Sequence, residues 1–203
     1  MHDSDSTLLS HLTTAHAECA AHLDAVRADW WTRPTPCAEW DVRKLAGHLV
    51  TGKLLYIALL RGGSADGFMA ELDRDPLGED PAAEHGRACA RLSAEFHAPG
   101  ALDRGIDYPF GPVDGRQLLG LMIAETLVHT WDLARATSAS EQLDPGLVDW
   151  VAGNVGWIYR GLSEGPLVPG KTDAYFADPA TEPSPPGGDT PQGRLLRLMG
   201  RRP

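Results

Sequence analysis

The amino-acid sequence predicts an all-α protein: a four-helix bundle with an accessory helix and an irregular Pro/Gly-rich C-terminal tail. Three observations predict it. Apolar residues recur at alternating three- and four-residue steps in five long segments, the spacing of a buried helix stripe. Helix-capping residues or prolines precede these segments, and Gly or Pro follows them. No segment carries the alternating, β-branched pattern of a sheet.

The first segment runs from about Thr7 to Ala28, with Leu8, Leu12, Ala15, Cys19, His22 and Val26 on one stripe, and stops before the two prolines of "TRPTPC". Asp41 is a good N-cap for the second, which carries Val42, Leu45, Leu49, Gly52, Tyr56 and Leu59 until the glycines of "RGGSADG". The third runs from about Pro81 to His97, with proline at its first position. The fourth spans about Gly115 to Thr137 and the fifth about Pro145 to Leu162. Residues 1–163 are therefore expected to form the bundle. Residues 164–203 form a Pro/Gly-rich tail that closes in "TPQGRLLRLMGRRP", a short helix capped by Thr190 whose arginines read as a solvated face.

Bulk composition narrows the function. A chain of 203 residues, 42% hydrophobic, buries a core most economically as one domain. A net charge of −10 argues against nucleic-acid binding by phosphate neutralisation. No apolar run is long enough to span a bilayer, and the acidic start "MHDSDSTLL" is unlike a signal peptide, so a cytoplasmic location is expected. The three cysteines are scattered and odd in number, which does not suit a disulfide framework. Arginine makes up 15 of the 18 basic residues, a compositional hint of a GC-rich genome.

The informative stretch is "LMIAETLVHTWDLARA", residues 121–136. If Leu118 and Met122 mark the buried stripe of this helix, the next positions on it are Glu125, His129 and Asp132. Buried polar groups must be paired or bound to a metal. Two readings satisfy that demand. One is an internal network from Glu125 through His129 to Asp132. The other is a metal site in which Glu125 and His129 are ligands and Asp132 orients an imidazole. His48, in register with Leu45, Gly52 and Leu55 on the second helix, is the candidate third ligand. Two histidines and a carboxylate suit Zn²⁺, Ni²⁺ or Fe²⁺ and leave positions open for water and substrate.

The remaining candidates have ordinary readings. His2 and His11 are expected in solvent, and His16, His85 and His97 on exposed helix faces, while His22 falls on an apolar stripe. Cys37 reads as a small buried residue in a tight connection, or as a thiol near the Asp41 helix start. Trp40 is expected to staple the helix entry, and Trp131 to pack away from the Glu125 stripe. Arg135, three residues after Asp132, reads as a helix-surface salt bridge, or as a contact to an anionic substrate group if a pocket mouth extends that far.

"RPTPCAEWDVRKLAGHLV" together with "ETLVHTWDLARAT" resembles the DinB-like metal-binding superfamily, in its actinobacterial branch of mycothiol-dependent maleylpyruvate isomerase and mycothiol S-transferases. "DPLGEDP", "PFGPVDG" and "RLLRLMGRRP" extend the likeness to a small single-domain subgroup. The resemblance implies a four-helix bundle holding one divalent ion, most often zinc, at the positions occupied here by His48, Glu125 and His129. It further implies mycothiol as a thiol co-substrate, activated by the metal for attack on a small electrophile. Maleylpyruvate isomerase carries a further C-terminal domain where this sequence has a 40-residue Pro-rich tail after the fifth helix, so the resemblance does not carry maleylpyruvate over as the substrate. The expected function is thus a metal-dependent thiol S-transferase or isomerase. A hydrolase using metal-bound hydroxide and a non-catalytic metal- or small-molecule-binding protein are the alternatives, and a homodimer is left open.

Overall fold

The computed structural model describes residues 4–168, 170, 176–181 and 189–203. His2 and Lys171, and the parts of the tail at 169, 171–175 and 182–188, lie outside the described residues. The elements in chain order are α1 (Asp5–Asp24), α2 (Val42–Leu60), α3 (Ala65–Glu71), α4 (Pro81–Phe96), β1 (Gly105–Ile106), β2 (Val113–Asp114), α5 (Gly115–Thr137), α6 (Pro145–Ile158) and α7 (Pro191–Leu198). Helices α1, α5, α2 and α4 pack in a closed cycle, each against the next. Helix α6 lies on α5 and α1, and α7 lies on α6. No described helix is long and apolar enough to cross a membrane.

Local chemistry sets the boundaries. The side chains of Asp41, Asp114 and Asp144 each accept a backbone N–H three residues on, at 2.8 Å, and so start α2, α5 and α6. Pro145 and Pro191 occupy first-turn positions where no donor is needed. Helix α1 stops four residues short of the expected Ala28, and α6 stops at Ile158 rather than Leu162. The glycines of "RGGSADG" do end α2, but Ser64 then caps the unforeseen seven-residue helix α3, about two turns long. The two-residue β1–β2 hairpin was also unforeseen, being too short to show a period. Gly115 begins α5 where a Cβ would meet the Ala101 carbonyl at 2.0 Å, so only glycine lets the hairpin enter the helix there.

Among the described residues, two groups of ionisable side chains interrupt an otherwise largely apolar interior. Leu12, Leu60, Leu92, Phe96 and Leu118 fill the main core, which Leu195, Leu196 and Met199 of the tail helix join. The tail is anchored as well as packed: the Gln192 amide donates to the Glu141 carbonyl at 2.7 Å, and its oxygen accepts the Leu143 N–H at 3.0 Å. The first polar inclusion is Lys53, fully buried, whose Nζ donates to the Leu49 carbonyl at 3.1 Å. His16 and His85 are buried near it, contrary to the exposed faces expected for them. Burial, then the Lys53 charge, holds His16 down at about 2 and His85 at about 3, so both are neutral. The second polar inclusion is the stripe on α5.

Candidate functional site

Helices α2 and α5 face each other across this stripe. His48 Nε2 lies 3.2 Å from Glu125 Oε1, and the His48 and His129 rings are 5.0 Å apart, edge to face. One donor atom from each of His48, Glu125 and His129 lies within 4.8 Å of the other two. Gly52 makes this possible. A Cβ there would sit 3.0 Å from Glu125 Oε1, so the missing side chain is the space the carboxylate occupies. The three side chains are partly open to solvent, at 24%, 23% and 12% exposure respectively.

Around them a buried shell fixes protons. His129 Nδ1 hydrogen-bonds Asp132 Oδ2 at 2.9 Å, which leaves Nε2 as the free donor atom of that ring. Asp132 is fully buried and also accepts from Arg201, Nε to Oδ1 at 2.9 Å and Nη2 to Oδ2 at 2.7 Å, and from the Cys37 thiol at 3.2 Å. Burial alone would raise the Asp132 carboxyl; its bonds to His129 and Arg201 overcome that and hold it well below the ordinary carboxylate range. Glu125 follows the same logic, with the His48 hydrogen bond opposing desolvation and leaving it lowered. Burial lowers His129 despite the Asp132 bond, so its imidazole is neutral. Cys37 is pushed up to about 12, chiefly by burial and then by the Asp132 charge, and is a thiol rather than a thiolate.

Two imidazoles, one of them in an oriented tautomer, converging with an ionised carboxylate fit a divalent transition metal. Cys37, His129 and Asp132 also converge within 4.8 Å, but there a cation would meet the Arg201 guanidinium already paired with Asp132. The first group is therefore the candidate centre.

The triad opens into a cavity of about 1170 Å³ whose wall includes Cys37, Trp40, Trp131, Arg135 and Arg201. Trp40 does more than staple the helix entry: its ring lies 4.7 Å from His48 and 6.1 Å from His129. The connection that carries it is tightly built. Thr35 Oγ1 donates to the Trp40 carbonyl at 3.0 Å and accepts the Cys37 N–H at 3.1 Å. Trp131 is buried yet also contributes to the cavity wall. Arg135 stands apart from the triad. Its guanidinium pairs with Glu141 through two bonds of 2.9 Å and stacks on Trp131 at 4.6 Å. Asp132, the sequence-adjacent partner, belongs instead to Arg201, one of the arginines expected on a solvated face. Sequence spacing cannot reveal a partner 69 residues away.

A model of the mycothiol maleylpyruvate isomerase N-terminal domain matches residues 12–134. The chain belongs to this family. MT0763 and Rv0738, uncharacterised proteins of two Mycobacterium tuberculosis strains, are each 34% identical to it over 187 residues, 90% of this chain and 91% of theirs. The crystal structure of the mycothiol-dependent maleylpyruvate isomerase superposes with a TM-score of 0.62 at 15% identity, over 75% of this chain and 70% of that one, and shows the shared fold. The matched mycothiol maleylpyruvate isomerase N-terminal segment contains Cys37, His48, Glu125, His129 and Asp132, and leaves out Arg135 and Arg201.

Proposed function

We propose that this chain is a divalent-metal-dependent thiol S-transferase or isomerase that uses mycothiol as co-substrate against a small electrophile. The observation that carries the reading is the His48–Glu125–His129 donor set facing a cavity of about 1170 Å³. That volume exceeds the roughly 300–1,000 Å³ of ordinary single-ligand pockets and accommodates two reactants side by side. Zinc or nickel suits the donors, and either, bound there, would act as a Lewis acid that favours a thiolate over a thiol at neutral pH.

The protein's own groups do the positioning. His48 and His129 offer ring nitrogens as donors, and Glu125 supplies one negative charge in the place that Gly52 leaves for it. Asp132 holds the His129 proton on Nδ1 and so keeps Nε2 aimed inward. Arg201 neutralises the buried Asp132 charge, and the Cys37 thiol gives it a further hydrogen bond. Arg135, tied to Glu141 at the rim, shapes the mouth of the cavity.

The test is metal content by elemental mass spectrometry on tag-free protein, beside His48→Ala and His129→Ala. Near one divalent ion per chain in the wild type, lost in both variants, is expected. Mycothiol-dependent consumption of electrophiles then follows, and turnover without any thiol would favour a hydrolase instead. A metal-free wild type, even after incubation with Zn²⁺ or Ni²⁺, would reduce the triad to a structural network.

A further inference from the structure

The cavity has two chemically distinct ends. Charged and metal-ligating groups gather around Cys37, His48, His129 and Arg201. Two turns along α2 from His48, about 12 Å by helical rise, Tyr56 begins a different wall. Tyr56, Phe68 and Tyr108 form a triangle with ring centroids 5.9 to 6.2 Å apart. The series continues through Phe110 and Phe176 to Tyr159 at spacings of 5.5, 5.6 and 6.0 Å, all edge-to-face or nearly so. All six rings line the cavity. The Glu125 charge of the donor triad is felt by all three phenols at this end.

The turn that delivers Tyr108 and Phe110 is fixed by its own bonds. The Tyr108 N–H reaches the Ile106 carbonyl at 3.1 Å, the Ser163 N–H reaches the Phe110 carbonyl at 2.7 Å, and Asp107 accepts the Ala65 N–H at 3.1 Å. Gly111, at φ 138°, lies where a Cβ would approach the Gly161 carbonyl to 2.9 Å. Burial pushes the Tyr108 phenol well above its ordinary range, so the hydroxyl keeps its proton. A buried hydroxyl on a cavity-lining ring, held by a rigid turn, makes a preorganised donor.

We propose that the aromatic end binds the electrophile as an uncharged, apolar molecule, and that the Tyr108 hydroxyl donates a hydrogen bond to its carbonyl-type oxygen. This rests on the thiol-transfer reading above for its place in a reaction, but not for the binding itself. Apolar bulk fills the chamber, the oxygen meets Tyr108 beside Glu125, and the reactive carbon faces the donor triad. A carboxylate in that chamber would lose its hydration beside Glu125 among six aromatic rings, none of which carries a charge to replace it. Tyr108 keeps its proton throughout and acts as a donor, not a base.

The experiment is calorimetric titration of the full chain, zinc-loaded and chelator-treated, without thiol, using three unreactive probes of one shape. These are 4-phenyl-2-butanone, n-butylbenzene and 4-phenylbutanoate. The ketone and the hydrocarbon are expected to bind and the carboxylate to bind at least tenfold more weakly than the ketone. Tyr108→Phe is expected to weaken the ketone about 5-fold, the effect of one neutral hydrogen bond, and to leave the hydrocarbon unchanged. Phe110→Ala, which opens the chamber without touching the hydroxyl, should weaken both. Equal effects of Tyr108→Phe on ketone and hydrocarbon, tightest binding of the carboxylate, or no binding of any probe would each overturn the proposal. Because no thiol is present and both metal states are titrated, that failure is separable from a failure of the metal-dependent reaction.

Discussion

Replacing Arg201 with leucine removes the cation that neutralises Asp132. The Asp132 side chain is 0% exposed and that of Arg201 only 13%, and the pair is joined by bonds of 2.9 and 2.7 Å. After substitution the carboxylate keeps only the His129 Nδ1 bond and the Cys37 thiol. Breaking a buried pair by removing one partner costs about 3–5 kcal/mol, because the other charge is stranded without hydration. For a chain of this size roughly 2–4 °C of Tm accompany each kcal/mol, so Arg201→Leu should lower Tm by about 6–20 °C. Thermal and urea unfolding followed by circular dichroism measure it directly. Asp132→Asn in the Arg201→Leu background should recover part of the loss, since an amide needs no counter-charge, and the cycle should return a coupling of at least about 2 kcal/mol. An Arg201→Leu protein within 1 kcal/mol of wild type, with additive behaviour in the cycle, would show that the tail does not anchor Asp132 and would remove Arg201 from the account of the site.

Three further outcomes are expected. Gly52→Ala places a methyl 3.0 Å from Glu125 Oε1; it should lower zinc affinity at least tenfold by titration while fold stability holds or rises by up to about 1 kcal/mol from helix propensity, and unchanged affinity would contradict the cradle. Stability should fall below pH 6.5: His16 and His85 are held at about 2 and about 3 in the fold, so the unfolded chain takes up protons first. Each histidine removes about 1.4 kcal/mol per pH unit, about 2 between pH 6.5 and 5, and His85→Leu should flatten the urea midpoint's pH dependence over that interval; an unflattened profile would mean His85 is not held neutral. Arg135→Ala breaks a half-exposed pair with Glu141 and should change stability by no more than about 1 kcal/mol in urea unfolding, a larger loss pointing to a role beyond the rim.

Most of the helices were legible because their signals are local. A side chain that caps three residues on, a proline at a first turn and a stripe at three- and four-residue steps are all written within a few residues of one another. The polar stripe of α5 was legible for the same reason, since Glu125, His129 and Asp132 share one helix. His48 required a second helix in register, which its apolar neighbours supplied. What was not legible depended on distance. Arg201 meets Asp132 across 69 positions, and Tyr108 reaches the cavity through a hairpin too short to have a period. His16 and His85 are buried because α1 and α4 pack with Lys53 of α2 between them, a fact about three helices that no single amphipathic pattern contains.

The division of labour between bundle and tail follows from the same electrostatics. The segment matched to the family, residues 12–134, contains the donor triad and Asp132. Asp132 stabilises the His129 tautomer only while it is ionised, and an ionised carboxylate with no exposure needs a cation within hydrogen-bond reach. Helix α5 offers Arg135 at the next turn, but that side chain leans over Trp131 to Glu141. The cation comes instead from Arg201, and α7 is docked to deliver it: Leu195 and Leu196 are buried in the main core, Met199 accepts a contact from the Tyr159 hydroxyl at 3.9 Å, and Arg201 donates to the Met199 carbonyl at 2.9 Å. The same short segment thus closes the cavity wall and sets the charge state behind the triad. A tail lost or displaced would open the cavity and strand Asp132 at once, so fold stability and the proposed metal site should fail together when α7 is undocked and separately when only a triad residue is changed.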